Sequence, residues 1–440
     1  MKNNLLPSSI ADINALLKTP FLKNVTVLVS GKVAAQGIAV LAAPILTRLY
    51  DPTMFGFLGL FSSVAALCAA VATFRYDMAI VLPKEDHEAG DLVVISGAAT
   101  ILVAFASLII ISLFNAKIAS LLDSPELAPF LFLVPLFVFF SGCNQIFQSW
   151  GTRRKWFKLL SVVSVVTATT TVTVKLLGGI LDTGANGLII SVIVGQLAGT
   201  MWMALKVWQN DGKLILGDIK KENIKQFALK YYKFPKYSAP KILFNSISQQ
   251  IPPLLFAGFF GPAVVGWYWF SKRLLNTPIN LVGESVRRVF YQKASEKYNK
   301  GEDLYQAFLK ATFILAAIAS IPMLIIIVLG GHLFGFVFGE QWVEAGRYSQ
   351  WLVVWLFFAF INRPSVAMLY VLGLQAFSLK LNVIFTVIRL IAILIGGYLS
   401  SPILAVMLYS ISGAIFNIIL ISYIFCYLKK TSFNNNELKS

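Results

Sequence analysis

Twelve apolar stretches run through the chain between Val25 and Leu428, separated by short polar segments. About 20 residues of helix cross a hydrocarbon core, and that length predicts spans near 24–46, 53–73, 91–114, 126–149, 159–180, 186–208, 238–260, 263–284, 306–330, 349–372, 379–399 and 402–428. The runs are continuous rather than alternating, which excludes a closed β-barrel. The pattern therefore predicts an all-α polytopic membrane protein with about 12 transmembrane helices. The eighth span is the least apolar, because Lys272, Arg273 and Glu284 interrupt it.

Composition agrees. Of 440 residues, 57% are hydrophobic and only 13% charged, about half the charge of a soluble domain. The net charge of +17 does not point to nucleic acid, because the basic residues gather in alternate loops. The N-terminus, the even-to-odd loops and the C-terminus hold 28 of the 37 lysines and arginines, and the opposite loops hold three: Arg48, Lys117 and Arg347. By the positive-inside rule both termini are cytoplasmic. The far-side loops are short. The longest, 331–348, carries the apolar run Leu333 to Phe338 and Trp342 and reads as lying along the interface.

Residues 1–23 lack the uninterrupted apolar core of a signal peptide. They read as a cytoplasmic interfacial segment, with Ile10, Ile13, Leu16 and Leu17 on one helical face. Residues 24–208 form an N-terminal six-helix bundle and 238–428 a C-terminal one, followed by a tail at 429–440. The basic linker 209–237 between them has Ile224, Phe227, Ala228 and Tyr231 at helical spacing among lysines, an amphipathic pattern suited to anionic lipid.

The halves repeat faintly. Pro52 and Gly56 in Asp51-Pro52-Thr53-Met54-Phe55-Gly56 match Pro262 and Gly266 in Gly261-Pro262-Ala263-Val264-Val265-Gly266, both at an offset of 210 residues. A shift of six spans preserves orientation, so the halves are expected to be related by a pseudo-two-fold axis along the membrane normal, around a central cavity. Pro252-Pro253 beside Gln249-Gln250 marks the best candidate for a functional helix break.

The chemistry lies in the charges at depth. Lys32, Lys272, Arg273, Arg363 and Arg389 fall inside spans, while no Asp or Glu sits as deep. A cation at mid-membrane costs roughly 2.5–3.5 kcal/mol on insertion scales, so an unmatched set points to an anionic guest. Lys175, near the outer end of its span, reads as a snorkelling residue. Cys68, Cys143 and Cys426 lie far apart, and His87 and His332 stand alone, which argues against a disulfide framework, a metal site or histidine catalysis. Gly31-Lys32 is followed by Val33 and lacks the upstream glycine of a phosphate loop. No cofactor is expected. The energy source is then an ion gradient (protons or sodium), the substrate gradient, or both.

Two groups of segments carry a family resemblance. Pro44-Ile45-Leu46-Thr47-Arg48-Leu49-Tyr50 and Phe74-Arg75-Tyr76-Asp77-Met78-Ala79-Ile80-Val81-Leu82-Pro83 lie in the first half. Phe234-Pro235-Lys236-Tyr237-Ser238-Ala239-Pro240, Asn245, Gln249-Gln250, Phe260-Gly261-Pro262 and Val289-Phe290-Tyr291-Gln292 lie in the second. Together they resemble bacterial polysaccharide-biosynthesis proteins of the oligosaccharide flippase family. The resemblance implies the fold of the multidrug, oligosaccharidyl-lipid and polysaccharide exporter superfamily. It also implies a partner, an undecaprenyl-diphosphate-linked glycan such as an O-antigen or capsule unit, with polysaccharide polymerase and assembly proteins downstream and membrane lipids around.

The candidate substrate-binding set is Lys32, Arg48, Arg75, Lys272, Arg273, Arg363, Arg389, Gln249 and Gln250, with Asp77 and Glu284 as charge partners or coupling groups. Arg or Lys would give a diphosphate charge-assisted hydrogen bonds. Two other readings stay open: an ion-coupled multidrug exporter of the same fold, disfavoured because cationic drugs want buried carboxylates, and a membrane polysaccharide polymerase or ligase, disfavoured by the short outer loops.

Overall fold

The computed structural model describes residues 20–216 and 221–437, and no strand occurs among them. Each predicted span falls on a helix or a bent pair of helices. The first half contains α1 (Pro20–Leu49), α2 (Pro52–Ala69), α3 (Asp86–Leu121), α4 (Val134–Arg153), α5 (Phe157–Ile180) and α6 (Ala185–Leu216). The linker helix α7 (Lys221–Lys230) follows. The second half contains α8 (Ala239–Phe260), α9 (Pro262–Asn299), α10 (Tyr305–Phe338), α11 (Val343–Ile361), α12 (Arg363–Val371), α13 (Gln375–Tyr398) and α14 (Pro402–Glu437). The interfacial helix expected at 8–17 lies outside the described residues. Nine of these stretches are apolar and long enough to span a membrane, and a bent pair ending in α4 makes a tenth; α8 and α9, on which the predicted seventh and eighth spans fall, are not among them. The protein is a multi-pass membrane protein.

Several details depart from the sequence pattern. The predicted loop 331–348 does not form. Instead α10 continues to Phe338, one 3-10 turn covers Glu340–Trp342, and α11 begins at once. Trp342 is fully buried rather than interfacial. It joins Phe55, Phe270, Phe334 and Phe338 in an aromatic cluster with centroids 4.6–6.2 Å apart. Lys175 is buried rather than extended toward an interface. The Pro252-Pro253 pair does not break α8, which runs through both prolines. The irregularity lies one turn upstream of α8, where Phe234–Ser238 forms a π-turn. Elsewhere the breaks sit where polarity or proline predicts them: at Asn362, and by 46° before α4, whose second residue is Pro135.

The chain forms two compact units. The first comprises residues 1–49, 61–119 and 126–250, and the second comprises 50–60, 120–125 and 251–440. The start of α2 thus belongs with the second unit. In lipid, helices associate by close packing rather than by the hydrophobic effect, and small residues permit it. In the first unit Gly31 abuts Ser161, Gly195 abuts Thr171 and Gly199 abuts Thr167. In the second unit the two repeat motifs pack on each other reciprocally. A Cβ on Gly56 would stand 1.9 Å from the Pro262 carbonyl oxygen, and one on Gly266 would stand 1.8 Å from that of Pro52.

Candidate functional site

The second unit gathers four of the candidate cations. Lys272 and Arg273 sit mid-way along α9, where Lys272 Nζ lies 5.3 Å from the Tyr268 ring centroid and the Arg273 guanidinium 4.9 Å from that of Trp269. The spacing has a simple cause: residues four apart on a helix share a face. Arg389, on α13, stands over three rings, Trp355 at 5.0 Å, Phe416 at 5.7 Å and Tyr409 at 5.9 Å. Tyr409 in turn packs edge-on against Tyr268 and Trp355, so Arg389 and Lys272 flank one tyrosine pair. Arg363 opens α12 at the polar break, donates to Asn280 Oδ1 at 2.9 Å, and lies across Gly283. The neighbouring Asn362 donates to Asn417 Oδ1 at 2.7 Å.

Among the described residues no ion pair involves Lys32, Lys272, Arg273, Arg363 or Arg389. The Nε atoms of Arg363 and Arg389 are buried without a hydrogen-bond partner there. An aromatic face stabilises a cation through its quadrupole, but it accepts no N–H in the guanidinium plane. Two guanidinium Nε donors are thus left unbonded. Glu284 makes no ion pair with these cations: its carboxylate takes two bonds from Arg287, at 2.5 and 2.9 Å, and one from Arg288 at 3.2 Å.

In the first unit Lys32 is exposed on α1 beside the Gly31–Ser161 packing point. Arg48 is exposed in the last turn of the same helix, with Nη1 3.5 Å from the Pro44 carbonyl. Arg75 adopts a left-handed conformation, φ 64°, at the start of a 3-10 turn, Tyr76–Val81. It lies 4.0 Å from Asp77, which accepts a 2.5 Å bond from Thr73 Oγ1. These two are a local pair holding the turn after α2. On α8, Gln249 is exposed and Gln250 half-buried.

The family model for polysaccharide biosynthesis proteins matches residues 45–347. The chain belongs to that family. It is 21% identical over 372 residues to the lipopolysaccharide biosynthesis protein WzxC of Escherichia coli (strain K12), covering 83% of this chain and 73% of that protein. It is also 21% identical to the succinoglycan biosynthesis transport protein ExoT of Rhizobium meliloti (strain 1021), across 73% of this chain but 63% of ExoT. Its fold is shared with an inward-facing multidrug resistance MATE family transporter of the MOP superfamily, TM-score 0.70 at 16% identity over 92% and 96% of the two chains. The lipid II flippase MurJ, in an inward closed conformation, gives 0.69 at 17% identity over 89% and 87%.

Within this polysaccharide-biosynthesis chain, the residues around the Phe74–Pro83 motif acquire a role that spacing alone did not reveal. Arg153, at the end of α4, donates to the carbonyls of Ile80, Pro83, Lys84 and Glu85 and to Asp86, at 2.7–3.3 Å. Arg154 bridges Asp86 and Asp211 at 2.7–2.9 Å, and Trp150 Nε1 adds a bond to Asp211. Burial alone would lower the Arg154 pKa, but the bonds and charge of Asp211 and Asp86 hold it above its ordinary value. This network ties the ends of α4 and α6 to the start of α3. The doublet Arg153-Arg154 in a basic loop was its one sequence signal.

Proposed function

We propose that the protein is a flippase carrying an undecaprenyl-diphosphate-linked oligosaccharide repeat unit from the inner to the outer leaflet of the bacterial cytoplasmic membrane by alternating access, with both termini cytoplasmic. The observation that supports this reading is the set of cations seated on aromatic rings in the second unit, with no ion-pair partner among the described residues. A diphosphate brought toward the bilayer core loses hydration, and charge-assisted hydrogen bonds from Lys272, Arg273 and Arg389 replace it. Lys32, exposed on α1, supplies further positive charge from the first unit. A lysine there is tolerated where it faces water or a guest rather than lipid.

The names of WzxC, ExoT and MurJ support a transporter of cell-surface glycan precursors. Coupling to a proton or sodium gradient would act through Asp77 or Glu284, each held by arginine in this conformation. Polysaccharide polymerase and assembly proteins would take up the unit on the outer face. The multidrug reading shares the fold, yet cations at depth repel cationic drugs.

Deleting the gene and identifying the undecaprenyl-linked saccharide that accumulates on the inner leaflet tests the proposal. Build-up of such a lipid, cleared by re-expression, is the expected result. Normal surface glycan with no accumulated lipid overturns it.

A further inference from the structure

Not every polar group at membrane depth is cationic. In the first unit α4 carries Ser141, Asn144, Gln145, Gln148 and Thr152 at spacings of three and four, a polar stripe on one helical face. The first turns of α8 carry Asn245, Ser246, Ser248 and Gln249. Both helices meet the end of α2, where the last carbonyls lack partners within the helix. Gln145 Nε2 donates to the Ala69 carbonyl at 3.3 Å, and Ser246 Oγ to that of Ala66 at 3.4 Å. These two side chains are consumed in joining helices.

Their neighbours are not. Asn245 and Gln249 are exposed and make no hydrogen bond among the described residues. Gln148 is exposed, and its amide donates only to Asn144 Oδ1, leaving its carbonyl oxygen free. Asn245 lies one residue before Ser246, which bonds to the Ala66 carbonyl of α2. Gln148 lies five residues before Arg153, about 7.5 Å inside the guanidinium network at 1.5 Å per residue. Gln249 lies eight residues beyond Lys241, about 12 Å in.

Amides placed at such depth are costly against lipid. Exposed there and unbonded, they face water or a ligand. An uncharged amide pairs a donor with an acceptor, the complement of a hydroxyl, which also does both. A diphosphate offers acceptors only and makes no use of the amide carbonyls.

We infer that Gln148, Asn245 and Gln249 form a binding face of the first unit for the uncharged, hydroxyl-rich part of the ligand. The inference rests on the flippase reading and assigns the saccharide to these three residues. Gln145 and Ser246 are positioning residues that set α4 and α8 against α2.

The test measures binding to purified full-length protein in lipid nanodiscs. The probes are undecaprenyl diphosphate, bare or bearing one N-acetylglucosamine. The parent protein is expected to bind the glycosylated lipid about tenfold tighter, the preference that two net hydrogen bonds supply. In the double variant Gln148→Met, Gln249→Met that preference should fall to about one, because methionine keeps the shape and removes the amide. Its affinity for the bare lipid should stay unchanged, which also shows that the variant is folded. A double variant that keeps the sugar preference overturns the inference, and so does a parent that binds both probes equally. A parent that binds neither probe overturns the flippase reading itself.

Discussion

Arginine is used in two opposite ways in this molecule. At the end of α4, Arg153 and Arg154 meet Asp86 and Asp211 and a row of backbone carbonyls, so nearly every donor is satisfied. In the second unit Arg389 meets three aromatic rings, no carboxylate, and keeps a buried Nε unbonded. The first arrangement spends charge on holding chain segments together. The second holds charge in place without spending it. The two arrangements differ in how far the N–H edges are filled, and that cannot be read from burial alone.

The sharpest way to break this comparison is Arg153→Met. It strips four carbonyls and part of Asp86 of a charged donor, and should cost roughly 2–3 kcal/mol, discounted for the partly exposed carboxylate. A clear fall in melting temperature in detergent is the expected readout. Trp355→Leu should cost less, about 1–2 kcal/mol, by removing the nearest ring under Arg389. It should lower glycan export as well, because the guanidinium loses its seat. Arg389→Gln should leave stability within about 1 kcal/mol of the parent, since lost stacking is offset by relief of a charge held in low dielectric. Surface glycan should nevertheless be lost, and Arg389→Lys should restore part of it, because charge returns without the planar fork. The smallest effect belongs to Arg347→Ala, which opens an exposed pair with Glu344 and should shift stability by about 0.5 kcal/mol at most, vanishing in high salt.

Much of the architecture was legible because lipid imposes a simple code. Continuous apolar runs marked the long helices, and the Pro52/Gly56 and Pro262/Gly266 motifs, 210 residues apart in sequence, pack on each other. What misled was hydropathy at the ends of elements. Phe334, Phe338 and Trp342 look interfacial in one dimension, yet they fill a core with Phe55 and Phe270 from distant segments. Two prolines in α8 suggested a break, but the helix runs through both, as membrane helices tolerate. The cations themselves stood out by type and depth. The aromatic seat of Arg389 did not, because Trp355 and Tyr409 come from different helices than Arg389. The amides of α4 were invisible for a similar reason: only the bonds made by Gln145 and Ser246 show which of their neighbours remain unused.

The central claim is that charge at depth in the second unit holds the diphosphate. Its most direct test is the affinity of purified protein in nanodiscs for undecaprenyl diphosphate, comparing the parent with Lys272→Gln, Arg389→Gln. Loss of two charge-assisted contacts should weaken binding at least tenfold, with the melting temperature close to that of the parent. Unchanged affinity in a folded variant would contradict the account.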